Sequence, residues 1–156
     1  MSQLAAELKH QGRTLSEYLE SLWWQHGFHL ESLTNIYMKG SEGMSQMQAI
    51  MNGLRESPPE TIGGMKVVEV RDYLRQTTTT SDGVVTPLDG PVGNLVILDL
   101  EEEGNYVAAR PSGTEPKIKF YTFTYVPAEL LADIDLARKE MQARTAAIHE
   151  DLNRLL

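Results

Sequence analysis

One short segment of the chain carries residue types that bind anions. Residues 110–116 read Arg-Pro-Ser-Gly-Thr-Glu-Pro. Arg110 supplies a planar fork of N–H donors that matches phosphate oxygens, and the hydroxyls of Ser112 and Thr114 are further donors. Gly113 permits a close approach of a ligand to the backbone, or a positive φ, while the two prolines limit the mobility of the segment. The segment therefore predicts a site for a small anion such as phosphate.

The charge distribution favours an anion site that is local. The 156 residues include 14 Lys and Arg against 22 Asp and Glu, a formal net charge of −8. Residues 105–121 nevertheless hold three basic residues and one acidic residue, so they form a basic island in an acidic chain. Because an acidic protein repels long polyanions, we expect no nucleic-acid partner. The composition leaves one alternative open, a rigid turn whose basic residues are simply solvated.

The composition argues against several other kinds of site. Cysteine is absent, which excludes disulfides and a thiolate nucleophile. No apolar run approaches the roughly 20 residues that a bilayer requires, so we expect no membrane partner. The four histidines form no pattern typical of metal ligands, and the three consecutive glutamates 101–103 lie in a predicted turn, where solvation explains them. We expect neither a metal site nor a catalytic residue in this chain.

The elements that hold the segment are predicted from periodicity and from capping signals. Helices are expected over residues 4–10, from the capping box of Thr14 and Glu17 to His26, over 44–54 with Ser41 as N-cap, and from Pro127 onward. Strands are expected over residues 33–38, 67–70, 95–100, 106–109 and 118–125. The polar run of residues 77–83, which contains four threonines, is expected to be a mobile loop.

This order of elements predicts an α+β fold, with an antiparallel sheet of four to five strands and helices packed on one face. A mixed sheet is the alternative if residues 33–38 pair in parallel. In the second helix, Leu15, Leu19, Leu22 and His26 form one stripe at helical spacing. Trp23 and Trp24 point about 100° apart, so one is expected in the core and one at its rim, unless they contact a neighbouring domain.

The candidate anion-binding segment and its surroundings resemble a known protein family. Residues 110–116, followed by Lys-Ile-Lys-Phe-Tyr, are similar to the C-terminal phosphate-binding loop of the α-D-phosphohexomutases, which are the phosphoglucomutases and phosphomannomutases. Residues 62–73 resemble the strand and turn that precede this loop in the longer bacterial enzymes. Residues 12–28 resemble the end of their third domain. The resemblance thus extends over nearly the whole chain.

The resemblance implies a division of the chain. Residues 1–30 would be the helical tail of a third domain with its linker, and residues 31–156 would be the fourth, C-terminal domain. In the full enzymes a serine of the first domain carries a phosphoryl group, and an aspartate-rich loop of the second holds Mg²⁺. The third domain binds sugar hydroxyls. The fourth binds the non-reacting phosphate during intramolecular phosphoryl transfer through a bisphosphorylated sugar.

Roles for individual residues follow by resemblance. Arg110, Ser112, Gly113 and Thr114 would contact the phosphate, and Lys119, where many relatives have Arg, would add positive charge. Lys117 is a weaker candidate, and Glu115 is expected to tie the loop to the sheet through backbone amides. The implied partners are a hexose or pentose phosphate and the other three domains. The implied cofactors of the full-length enzyme are Mg²⁺ and a hexose bisphosphate activator, and the implied location is cytoplasmic.

Two family motifs are missing from the sequence. It contains no Ser-His-Asn-Pro segment, the setting of the phosphoserine, and no Asp-x-Asp-x-Asp run. The chain is therefore expected to be a fragment that lacks mutase activity by itself. Two alternatives remain open, a stand-alone phosphosugar-binding module without catalysis and an interaction domain that keeps the loop as a relic.

Overall fold

The computed structural model describes residues 2–155. The α-helices of this region are Ser2–His10 (α1), Leu15–His26 (α2), Gly43–Glu56 (α3) and Ile134–Asn153 (α4), with a 3₁₀ helix at Ala128–Leu130. The strands are Phe28–Tyr37 (β1), Thr61–Ile62 (β2), Met65–Asp72 (β3), Thr77–Thr80 (β4), Val85–Pro87 (β5), Val96–Leu100 (β6), Tyr106–Pro111 (β7) and Lys117–Val126 (β8). Among the described residues, no helix is both long and apolar enough to span a bilayer.

The strands form one antiparallel sheet, which confirms the predicted α+β class. Its order is β1-β8-β7-β6-β3-β4-β5, and β2 pairs with β3 beside this path. β1 pairs antiparallel with β8 along its whole length, from Phe28 opposite Val126 to Tyr37 opposite Lys117, so the mixed-sheet alternative is wrong. The five predicted strands are present, but the sheet has eight strands because β2, β4 and β5 were not expected.

The threonine run is one of these additional strands. Residues Thr77–Thr80 pair with both β3 and β5, and all four are half-buried. The prediction of a mobile loop over residues 77–83 is therefore wrong for its first four residues. A β-branched side chain fits a half-buried pleated surface although it is polar, and four threonines in a row therefore favour a strand.

The main core lies on one face of the sheet. Alternate residues of β6, β7 and β8 point to that face, and α3 and α4 cover it, as the prediction of helices on one face requires. Met47, Met51 and Leu54 of α3 meet Ile148 and Leu152 of α4 in this core. A smaller cluster under α2 is formed by Phe28, Leu131, Ile134, Ala137 and Met141.

The helix starts agree with the sequence in one case and differ in two. Thr14 and Glu17 form the predicted capping box of α2. α3 begins at Gly43 after Glu42, with no side-chain cap, so the prediction of Ser41 as N-cap is wrong. Pro127 precedes only the 3₁₀ helix, because the chain turns again before Asp133 caps α4 by accepting a hydrogen bond from the Leu136 N–H.

The stripe predicted on α2 does not form a core. No residue of α2 is buried, and Leu15 and Leu19 are 41% and 46% exposed. Trp23 packs on Phe28 with ring centroids 4.8 Å apart and is half-buried, so it borders the smaller cluster and is not a core residue as predicted. Trp24 is 47% exposed, as expected of the outer tryptophan. β1 starts before the predicted domain boundary at residue 30, and the division into two domains stays a prediction.

Candidate phosphate-binding site

The candidate loop connects β7 to β8 at one end of the sheet. Arg110 and Pro111 end β7, and Lys117 begins β8. The Ser112 N–H donates to the Lys117 carbonyl at 2.9 Å, and the Lys117 N–H donates to the Glu115 carbonyl at 2.8 Å. The shape of the loop is thus fixed by its own backbone, and the side chains of Ser112 and Thr114 are not needed to close it.

The first turn of α3 packs against this loop. The Met38 N–H donates to the Pro116 carbonyl at 2.8 Å, which ties the end of β1 to the loop. A Cβ atom built on Gly43 would lie 2.9 Å from the Cβ of Pro116, so only glycine lets the helix come this close. Gly43 and Met38 therefore position the loop. The sequence reasoning missed both, and a glycine just after a predicted N-cap was the only signal.

Arg110 and Lys119 lie side by side. They are direct cross-strand partners between β7 and β8, and Asn35 of β1 is the partner of Lys119 on its other side. Arg110 is exposed and Lys119 is half-buried. Neither forms a salt bridge with any residue between 2 and 155. Both positive charges are therefore available to an anion at the end of the sheet.

The tip of the loop presents small groups to solvent. Gly113 does not have a positive φ, and a Cβ built on it would meet no described atom within 4 Å. The fold itself therefore does not require glycine here. The Thr114 N–H points to the Ser112 Oγ at 3.5 Å, a distance too long for a strong hydrogen bond, so this amide remains a donor for a ligand.

Glu115 does not tie the loop to the sheet through backbone amides, so that prediction is wrong. Its carboxylate instead forms an ion pair with the Lys117 ammonium. The Lys117 Nζ also lies 5.3 Å from the centre of the Tyr37 ring, within cation–π range. The hydrogen bond to Glu115 raises the pKa of Lys117. Lys117 is thus charged but engaged, unlike Arg110 and Lys119.

An open cleft of about 550 Å³ lies between the loop and α3. One wall is formed by residues 110–113, and the floor by methionines of α3 such as Met47 and Met51. At the far wall Arg55 pairs with Asp72 at 3.2 Å, with both side chains almost fully buried, and also donates to the Asn94 Oδ1. This buried pair was not expected from the sequence, because its members lie 17 residues apart on different elements.

The described residues do not fit a magnesium site. No group of three or more His, Asp or Glu side chains within residues 2–155 is arranged to hold a metal ion.

The sequence of the chain is similar to those of several bacterial phosphoglucomutases. The chain is 40% identical over 124 residues to the phosphoglucomutase of Staphylococcus aureus strain MRSA252, an alignment that covers 79% of this chain. It is 41% identical over 118 residues to the phosphoglucomutase of strain MSSA476 and 38% identical over 123 residues to that of strain N315. Over the aligned region this chain is homologous to these phosphoglucomutases. No family model matches it.

The alignment covers only part of each relative. The chain spans about a fifth of the length of these phosphoglucomutases, 22% for the enzyme of strain MRSA252. This coverage is consistent with a single C-terminal domain of a phosphohexomutase. The homology confirms the resemblance noted in the sequence, whereas the roles of Arg110, Ser112, Gly113, Thr114 and Lys119 stay predictions.

Proposed function

We propose that the loop of residues 110–116 binds the non-reacting phosphate of a sugar phosphate, as the C-terminal domain of a phosphoglucomutase or phosphomannomutase. The observation that carries the proposal is the fork of Arg110, which has no salt-bridge partner among residues 2–155, beside a loop whose shape does not depend on the hydroxyls of Ser112 and Thr114. Donors that the fold does not consume are the groups that a phosphate dianion requires.

The mechanism that we propose for the full enzyme explains why the site is directed at phosphate. A sugar bisphosphate that turns round between two phosphoryl transfers presents each of its phosphates to this loop in turn. Arg110 would bind two phosphate oxygens through its fork, and Lys119 would add a second positive charge from the neighbouring strand. The Gly113 backbone would approach the remaining oxygen without interference from a side chain.

The remaining parts of the proposed reaction lie outside this chain. The phosphoserine, the Mg²⁺ loop and the sugar-binding loop would belong to three further domains, and residues 1–30 would be the tail of the third. The full enzyme would be a cytoplasmic isomerase of sugar phosphates that needs Mg²⁺ and a hexose bisphosphate activator. The homology to phosphoglucomutases over a fifth of their length supports this assignment.

Substitution of Arg110 tests the site. We expect Arg110→Ala to weaken the binding of inorganic phosphate and of glucose 1-phosphate by about tenfold or more, since a charge-assisted hydrogen bond is worth ~1.5–3 kcal/mol. NMR titration of the loop amides measures both dissociation constants. Arg13→Ala removes the same charge near the start of α2 and serves as the control. Equal affinities of Arg110→Ala and the unsubstituted protein would refute the proposal.

A further inference from the structure

The ion pair between Glu115 and Lys117 has no evident role in holding the fold. Glu115 is 53% exposed, and the loop is already closed by the backbone hydrogen bonds of Ser112 and Lys117. An ion pair whose carboxylate is this exposed to water contributes little to stability. Yet the pair places a carboxylate inside the loop that is proposed to bind an anion, where it weakens the attraction for phosphate. The negative charge of Glu115 is therefore expected to affect how tightly the loop binds phosphate.

The position of Lys117 on β8 shows that the ion pair with Glu115 keeps a positive charge from the proposed phosphate site. Lys117 and Lys119 lie on the same face of β8, because alternate residues of a strand share a face. Arg110 is directly opposite Lys119, which makes Lys117 its diagonal neighbour at the end of the sheet. Diagonal neighbours are about 7–8 Å apart, within reach of a long side chain. A Lys117 side chain released from Glu115 is therefore long enough to reach a phosphate bound by Arg110.

The environment of Lys117 keeps its ammonium on Glu115. Its side chain is only 14% exposed, in contact with the carboxylate and with the Tyr37 ring. The raised pKa of Lys117 agrees with a stable pair, because a neighbouring carboxylate favours the charged amine. In this arrangement the charges of Lys117 and Glu115 cancel, and Arg110 and Lys119 are the positive charges that the site offers to an anion.

We infer that Glu115 masks Lys117 and thereby limits the affinity of the loop for phosphate. The inference rests on the proposed function and assigns Glu115 an affinity-determining role at the same site. Glu115 competes with the phosphate dianion for one ammonium group, so the loop binds phosphate with two basic residues instead of three. A weaker grip suits a site that must release one phosphate before it takes the other.

Removal of the carboxylate tests the inference. We expect Glu115→Gln to tighten the binding of inorganic phosphate about five- to tenfold, because it frees one positive charge and removes one negative charge a few ångströms from a dianion. The double substitution Glu115→Gln with Lys117→Met should return the affinity to within about twofold of the unsubstituted protein, since both charges of the pair are then gone. NMR titration of the loop amides at constant ionic strength gives the dissociation constants.

A matched control separates a local effect from a change in net charge. Glu129→Gln changes the net charge by the same amount on the 3₁₀ helix, which follows the opposite end of β8. We expect this variant to bind phosphate as the unsubstituted protein does. In Glu115→Gln, the Nζ resonance of Lys117 should also shift on addition of phosphate, which a purely structural role of Glu115 would not cause.

The possible failures are distinct. In one outcome, phosphate shifts the resonances of the loop amides, with weaker phosphate binding in Arg110→Ala, while Glu115→Gln binds phosphate no more tightly than Glu129→Gln does. That result refutes the masking of Lys117 by Glu115 and leaves the proposed phosphate site standing. If Glu115→Gln tightens binding and the double variant keeps the gain, Lys117 is not the group released and the inference fails. If phosphate leaves the loop amides of every variant unmoved, the proposed function and the masking both fall.

Discussion

At the scale of single residues, two glycines at the loop differ in why glycine is found there: packing requires Gly43, whereas nothing in the described fold requires Gly113. Gly43 lies against Pro116, where any side chain would collide, so packing demands it. Gly113 has open space around it and an ordinary φ, so neither packing nor backbone geometry demands it. A glycine that the fold does not need is best explained by a ligand that approaches the backbone, and this contrast supports the proposed phosphate contact.

Alanine substitutions in α3 test the packing argument. We expect Gly43→Ala to destabilise the protein by about 1–3 kcal/mol, since the added methyl group overlaps Pro116 and the helix must move away. The same substitution at Gly53, in the interior of the same helix, meets no described atom within 4 Å and should stabilise by up to about 1 kcal/mol. Urea denaturation measures both. Equal effects of the two substitutions would contradict the close contact.

At the scale of elements, the buried pair of Arg55 and Asp72 fixes α3 to the end of β3. Both side chains are almost completely inaccessible, at 3% and 4% exposed, and the Leu74 N–H donates to the same carboxylate. α3 carries the floor of the cleft and the glycine that contacts the loop. The geometry of the site therefore depends on a pair that lies at the other end of the helix.

Loss of one partner should be costly. Arg55→Met leaves the Asp72 carboxylate buried without its main partner, and we expect a loss of about 3–5 kcal/mol in the free energy of unfolding. Glu56→Gln is the control, since Glu56 at the end of α3 forms an exposed pair with Arg75, which follows β3 by three residues. Its expected effect is below about 1 kcal/mol. Chemical denaturation decides the matter, and a small effect of Arg55→Met would show that the pair is not holding α3.

A second link between elements responds to pH. The His149 ring of α4 lies 2.8 Å from the Ser32 hydroxyl of β1, and burial lowers the pKa of His149. The unfolded chain then binds a proton more readily than the folded protein, so stability falls as the pH drops below the ordinary histidine value of about 6.5. It levels off below the lowered pKa of the folded state.

A variant that lacks only His149 isolates this contribution to the pH dependence of stability. Between pH 7.5 and 5.5 we expect the melting temperature of the protein to fall more steeply than that of His149→Gln, because only the former has the half-buried imidazole of His149 to protonate. Calorimetry at closely spaced pH values provides the two curves. Parallel curves would mean that His149 titrates alike in the folded and unfolded states.

At the scale of the whole molecule, features that depend on neighbouring residues could be predicted and features that depend on distant contacts could not. The capping box of Thr14 and Glu17 and the strands around the loop are local patterns. So is the composition of residues 110–116, on which the proposed anion site is based. The contact of Gly43 with Pro116 joins elements far apart in sequence. Likewise, nothing local indicates that the α2 stripe stays exposed, because burial depends on which surfaces the rest of the molecule covers.

The size of the chain relative to its homologues leads to a prediction about activity. Because it spans about a fifth of their length and lacks the phosphoserine motif, we expect the purified protein to convert no glucose 1-phosphate to glucose 6-phosphate, even with Mg²⁺ and glucose 1,6-bisphosphate. A coupled dehydrogenase assay detects the product, with a full-length phosphoglucomutase as the positive control. Turnover by this chain alone would contradict the assignment of the missing steps to other domains.

The ten-residue strand β8 has a mechanical consequence. It spans about 30 Å, and β1 and β7 flank it on both sides. At one end it carries the loop, and at the other the Tyr125 hydroxyl donates to the His26 carbonyl at the end of α2. A strand that is paired on both sides and anchored at its far end is held in shape along its length. If the loop binds phosphate as proposed, we expect residues 110–116 to move together with the sheet that carries them when a substrate is enclosed.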